Sequence, residues 1–489
     1  MHNKTIDSEV DQGKVPGRST ESGGPFPPTG NIPKSGKSWL TGPALWVFLL
    51  ILALRMAFVI VVPGGSDEET WLGWVMSPDS RDYVYLADDF SDSRQDSISF
   101  RTPLYPAFIA LTQYLLGRRW LATLLLQQIA VALTAVACGI VAASACGRRA
   151  GQAASLTYLI CPLAVIESVV LLPDTMLAMV VSWAGVLWLR ALRAATDRRR
   201  ILDAALSGFL MGAGTLVKPS VSLLLLVPLV QLAFSKKIPA GKRLLTGTIL
   251  AIAALCPPGA WRLNNLIRFN SPVLTTQDSF ELAGRFLILS GQETQESFWL
   301  ECADSLESYV VQEPIVYENP ACTVVPDGWA GLGGGRFCPS VDIDSRDSLF
   351  RSVAISALRR APLRIVIGHF NRWPWLLSNP IGDLSRAGGH PVIRGVVRAG
   401  SMAFQVLLAV GALLALVQRR LRGEASELLF FSIALFLIVA VVTGPLAGTR
   451  YSLPFYWALI SAASCGWVSI LSKTATVLGR PGVSSTRNS

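Results

Sequence analysis

Histidine is nearly absent from this chain. Three occur in 489 residues, His2, His369 and His390. No His-Glu-x-x-His and no paired Cys-x-x-Cys is present, which argues against a zinc site. No Gly-rich phosphate loop of the Walker type precedes a Lys-Ser or Lys-Thr, which argues against an ATP-driven pump. Charge is scarce as well. Only 16% of residues are charged, where a soluble domain carries about a quarter. No internal repeat marks a transporter built from duplicated halves.

What is present is apolar. Hydrophobic residues make up 51% of the chain, and mean hydropathy is +0.45. The expectation is an all-α polytopic membrane protein. The formal charge of +10 sits largely in short runs between apolar segments: "GRRAG", "RAATDRRR", "SKKIPAGKR" and "QRRLRG". That pattern is the positive-inside rule, and it points away from nucleic acid. Five of the eight cysteines lie in or beside apolar spans, where a cysteine is a small hydrophobe. Cys302, Cys322 and Cys338 share one polar segment. In an oxidising compartment Cys322 and Cys338 are candidates to pair, leaving Cys302 over.

Hydropathy divides the chain. Residues 1–42 read as a disordered cytoplasmic tail without a signal-peptide core. Residues 43–261 form an N-terminal transmembrane module, with spans near 43–62, 120–145, 151–172, 175–192, 201–217, 220–234 and 244–261. Its long first external loop, 63–119, contains an interfacial helix from Pro103, too short to cross. Residues 262–395 form an extracytoplasmic region of mixed character. Residues 396–472 hold three more spans, and 473–489 a second cytoplasmic tail. About ten spans result. A cytoplasmic N-terminus places the basic runs inside.

The unusual polar residues then share the outer side. Asp79 and Asp82 lie in the first external loop, and Arg101 closes it. Glu167 and Asp174 lie near the outer end of the third span. Lys218 occupies the turn after the fifth, Arg262 follows the seventh, and Arg450 with Tyr451 precedes the last. Arg55 reads as a snorkelling residue of structural role. Asp88, Asp89, Arg118 and Arg119 read as solvated loop charges. Ionisable groups at the membrane edge are costly and mark a substrate path. Such a set suits a lipid-phosphate-linked sugar. Lys218, Arg101 and Arg450 would meet the phosphate, and a carboxylate would accept the proton of an acceptor hydroxyl.

The runs "PDSRDYVYLA", "SFRTPLYPAFIAL", "LLPDTML", "GTLVKPS" and "GTRYSLP" resemble, in order and membrane side, the GT-C class of integral-membrane glycosyltransferases. The likeness is strongest to the bacterial branch related to protein O-mannosyltransferases and the lipid A aminoarabinose transferase. The resemblance implies that Asp79 is the catalytic carboxylate and that Asp82, Arg101, Asp174, Lys218, Arg450 and Tyr451 bind substrate. It leaves open a divalent cation (Mg or Mn), with Asp79 and Asp174 as ligands and Asp82 as an alternative. Arg262 departs from the family pattern, because Asn264 stands where an Arg is usual. The implied donor is a polyprenyl-phosphate sugar and the acceptor a lipid, glycan or protein. The implied place is a bacterial plasma membrane, with the site extracytoplasmic. A polysaccharide polymerase or ligase and a lipid or solute transporter are the alternatives. The mostly apolar span centres weigh against the transporter.

The topology is open to a direct check. Cysteine placed at Gly333, in a background without native cysteines, should react with an impermeant maleimide in intact cells. Cysteine at Arg198 should react only after permeabilisation. The reverse pattern would invert the orientation.

Overall fold

The computed structural model describes residues 40–61, 78–92, 101–117, 120–235, 238–275, 354–371, 391–417 and 453–478, with scattered positions between 427 and 437. Every regular element among them is a helix. In order, α1 is Pro43–Val61, α2 Pro78–Asp92, α3 Leu104–Leu116, α4 Trp120–Cys146, α5 Arg148–Leu159 and α6 Pro162–Glu167. Then come α7 Asp174–Leu192, α8 Asp197–Val217, a 3₁₀ segment Pro219–Leu225, α9 Leu226–Phe234 and α10 Ala240–Phe269. The later helices are α11 Pro362–Asn371, α12 Pro391–Val417 and α13 Leu453–Leu478.

Seven helices among the described residues are long and apolar enough to cross a bilayer: α1, α4, α7, α8, α10, and parts of α12 and α13. Their outer faces are apolar, as lipid contact requires. On α1, Trp46, Leu50, Leu54 and Phe58 recur every fourth residue and are exposed, while Phe48, Arg55 and Val59 turn inward. The chain is a multi-pass membrane protein.

Three expectations need correction. The span expected at 151–172 is not continuous. Helix α5 ends at Leu159, and Pro162 begins the short α6, because proline opens a helix readily but cannot extend one. The acidic stretch expected as loop is the helix α2, into which Tyr83 and Ala87 bury one face. The last span of the first module runs eight residues beyond 261, to Phe269, and ends at Asn270 in the left-handed conformation (φ 54°). Helix α3 falls where the interfacial helix was expected. The segment 427–446 lies mostly outside the described residues, as does most of 262–395, including Cys302, Cys322 and Cys338.

Helix α10 packs along α8, α8 on α7, and α4 on α5 and α7, while α13 touches α4, α5 and α7. Close approach comes from small residues, the usual device of helices in lipid. A Cβ on Gly208 would strike the Leu250 carbonyl oxygen of α10, and one on Gly212 would strike that of Ala254. Pro258 has no N–H to offer Ala254 four residues earlier. The carbonyl this frees therefore turns to the bare face of Gly212.

One end of this bundle is basic. Lys242 of α10 and Arg200 both bond Asp197 at the start of α8, and Arg148 bonds Thr41 just ahead of α1. The acids and bases of interest gather at the other end.

Two glycines of this region should respond with opposite signs. Gly208→Ala should destabilise the detergent-solubilised protein by about 1–3 kcal/mol through overpacking. Gly259→Ala, where the added methyl meets no atom within 4 Å, should stabilise it by about 0.5–1 kcal/mol. Thermal unfolding of both variants checks this.

Candidate functional site

Two Pro-Asp pairs build the site. Pro78 is the first residue of α2, and Asp79 follows in its first turn. Pro173 directly precedes Asp174, the first residue of α7. Proline pre-sets the first helical turn. The positive end of the helix dipole favours a carboxylate there. A third proline acts in the opposite sense. Pro219 pushes Lys218 into extended backbone (φ −155°, ψ 117°) and stops α8 there. A cation at a helix C-terminus is favoured for the same electrostatic reason.

These ends meet. Lys218 Nζ donates to Asp174 Oδ1 at 2.9 Å, with the Asp174 side chain 1% exposed. Arg101 donates through Nε and Nη2 to Asp82 Oδ2, at 3.0 and 2.9 Å. Its Nη2 also reaches Asp79 Oδ1 at 3.0 Å. Asp79 and Asp82, three apart on α2, lie on one helix face. The guanidinium also lies 5.3 Å from the Tyr83 ring centre. Burial pushes the Asp82 carboxyl above its usual range, Arg101 opposes the shift, and Asp79 adds to it. Asp88 stands nine residues beyond Asp79, about half a turn round from it.

The two clusters are joined. Thr102, next to Arg101, donates its hydroxyl to the Val217 carbonyl, next to Lys218, at 2.8 Å. One turn on, Tyr105 donates to Gln127 Oε1 at 2.5 Å. Burial first, then Tyr83 and Asp174, push the Tyr105 phenol well up, so it remains a donor.

The expected residues Asp79, Asp82, Arg101, Asp174 and Lys218 thus fall at one end of the bundle, in two ion-paired groups. Arg450 and Tyr451 lie outside the described residues. Sequence reasoning missed Thr102, Tyr105, Gln127 and Gln128. The adjacent glutamines inside an apolar span were the available signal.

Arg55 is a further correction. It does not snorkel. Its guanidinium is buried and donates to Gln128 Oε1, Ser168 Oγ and the carbonyls of Leu159 and Ala164, at 2.8–3.0 Å. Leu159 ends α5, and Ala164 lies in the last turn of the short α6. The arginine therefore satisfies carbonyls left over at two helix ends.

Among the described residues no three His, Cys, Asp or Glu side chains converge. Asp79 and Asp82 share one guanidinium, and Asp174 holds an ammonium through Oδ1.

A groove of about 290 Å³ runs between α8, the 3₁₀ segment and α10, with Pro219, the residue after Lys218, in its wall. Met211, Thr215, Pro219, Leu225, Leu255 and Arg262 are among its walls.

The fold is similar to that of solved membrane-embedded oligosaccharyltransferases. Residues 101–261, about a third of the chain, match the family model described as dolichyl-phosphate-mannose-protein mannosyltransferase. The archaeal oligosaccharyltransferase AglB of Archaeoglobus fulgidus, in complex with an inhibitory peptide and a dolichol-phosphate, superposes with a TM-score of 0.52 at 12% identity. That match covers 92% of this chain and 53% of AglB. The apo form of the Archaeoglobus fulgidus enzyme gives 0.51 at 12% identity, covering 89% and 51%. The chain spans about half the length of these neighbours. ArnT from Cupriavidus metallidurans, bound to undecaprenyl phosphate, gives 0.39 at 16% identity, covering 89% and 80%. No curated protein sequence matches.

The Lys218–Asp174 pair makes a prediction about stability. Lys218→Met alone strands a buried carboxylate and should cost about 3–5 kcal/mol. Adding Asp174→Leu should restore most of that loss, since an apolar replacement of a buried pair is often neutral. Thermal unfolding in detergent reads both. A double variant less stable than the single one would refute it.

Proposed function

We propose that this protein transfers a sugar from a polyprenyl-phosphate donor to an acceptor on the extracytoplasmic side of the membrane. The observation that carries the reading is the convergence of Asp79, Asp82 and Arg101 with Asp174 and Lys218 at one bundle end, near a largely apolar groove. A lipid chain suits the groove's largely apolar walls. It would hold its phosphate at the level where Lys218 stands. Basic charge gathers at the opposite end, which supports an outward-facing site under the positive-inside rule.

In the transfer, the bond between the anomeric carbon and the phosphate oxygen breaks, and the acceptor oxygen bonds to that carbon. Polyprenyl phosphate leaves with the electron pair. Asp79 orients the acceptor hydroxyl and takes its proton. Arg101 and Lys218 stabilise the charge gathering on the phosphate. The leaving group is already a good one, so no general acid is required of the protein. This differs from the paired-carboxylate demand of glycoside hydrolysis. The sugar is a hexose or pentose, the acceptor is a lipid, glycan or protein, and the setting is a bacterial plasma membrane.

Purified protein given undecaprenyl-phosphate sugars and membrane extract should yield a new glycoconjugate by mass spectrometry. Asp79→Asn should lower its rate by about 10²–10⁴-fold, the usual contribution of a general base. Asp88→Asn, on the far side of α2, should stay active. Near-wild-type transfer by Asp79→Asn would remove this residue from the mechanism.

A further inference from the structure

We infer that Thr102 is a positioning residue that locks the Arg101 cluster and the Lys218–Asp174 pair into a single site. The inference rests on the transfer reading above for its catalytic consequence, though not for its geometry. Val217 is the last residue of α8, and a carbonyl there has no partner within its own helix. Lys218 N–H goes back to Gly214, and Val221 N–H goes to Lys218. The Val217 carbonyl receives the Thr102 hydroxyl, from a segment 115 residues earlier. Thr102 is 3% exposed and Val217 0%, so water does not replace this bond.

Both segments carry a proline at or beside the bond. Thr102 precedes Pro103 as Lys218 precedes Pro219, and a residue before proline is confined to extended conformations. Each ion-paired cation is therefore covalently adjacent to one half of the bond: Arg101 to the donor, Lys218 to the acceptor. Tyr105, one turn after Thr102, anchors the same segment to Gln127. Gln127 in turn holds the carbonyls of Ser168 and Val170, in the stretch that leads to Asp174. The segment Arg101–Tyr105 thus bonds the start of α2 and the end of α8 and, through Gln127, reaches the approach to α7. A shift of one ion pair against the other must break the Thr102 bond.

The test compares Thr102→Val, which keeps shape and removes the hydroxyl, with Thr102→Ser, which keeps the hydroxyl. Thr102→Val should lower kcat about tenfold, the upper range for one hydrogen bond, with donor KM little changed. Thr102→Ser should recover most of the rate. A second measurement needs no substrate. Unfolding of Arg101→Gln, Lys218→Gln and the double variant should be non-additive in the wild-type background and additive once Thr102→Val is present. Additivity in both backgrounds, or equal kcat for Thr102→Val and wild type, overturns the inference. A wild type that turns over no lipid-linked sugar defeats the transfer reading instead, while the unfolding cycle still decides the linkage.

Discussion

A bundle in hydrocarbon must satisfy its own backbone polar groups, because lipid offers no partners. This one interrupts its helices where the charged residues gather, so the constraint is sharpest there. The break after Leu159 and the irregular stretch from Ser168 to Pro173 leave carbonyls without partners in their own helices. Arg55 takes those of Leu159 and Ala164. Gln127 takes Ser168 and Val170, and Gln128 also takes Ser168. Thr102 takes Val217 at the end of α8. Each interruption is thus closed by a polar side chain from a distant part of the sequence. The position of Asp174, directly after the irregular stretch, depends on that closure.

The same interruptions set the electrostatics. A helix start supports Asp79 and Asp174, and a helix end supports Lys218. The site is charged because the chain stops and restarts helices at one level, with prolines marking the turns. If all five groups are ionised, Asp79, Asp82 and Asp174 against Arg101 and Lys218 give −3 + 2 = −1. On the proposed transfer reading, a donor phosphate would enter this field and share Arg101 and Lys218 with the carboxylates they already hold.

Much of this was legible in the sequence. Long apolar runs located α1, α4, α7, α8 and α10, because lipid contact selects composition over whole helices. The motifs "PDSRDY", "LLPDTML" and "LVKPS" marked the charged end, because proline and charge act locally at helix ends. What was not legible is what depends on distant partners. Arg55 in an apolar run looks the same whether it reaches water or a broken helix. Residues 151–172 are mostly apolar, so hydropathy read them as one span, and Pro162 as its interior. Thr102 carries no signal of its own, since its role exists only when α8 ends against it.

The geometry also separates the two acids of α2, which sequence alone treats alike. Arg101 directs two of its nitrogens to one oxygen of Asp82 and a single bond to Asp79. Asp82 is therefore the firmer of these two partners. Asp79 is the more exposed of the two, 32% against 27%. It stands in the first turn of its helix. On the proposed transfer reading, Asp82 would be the carboxylate that orients the Arg101 guanidinium, and Asp79 the one that meets the acceptor hydroxyl.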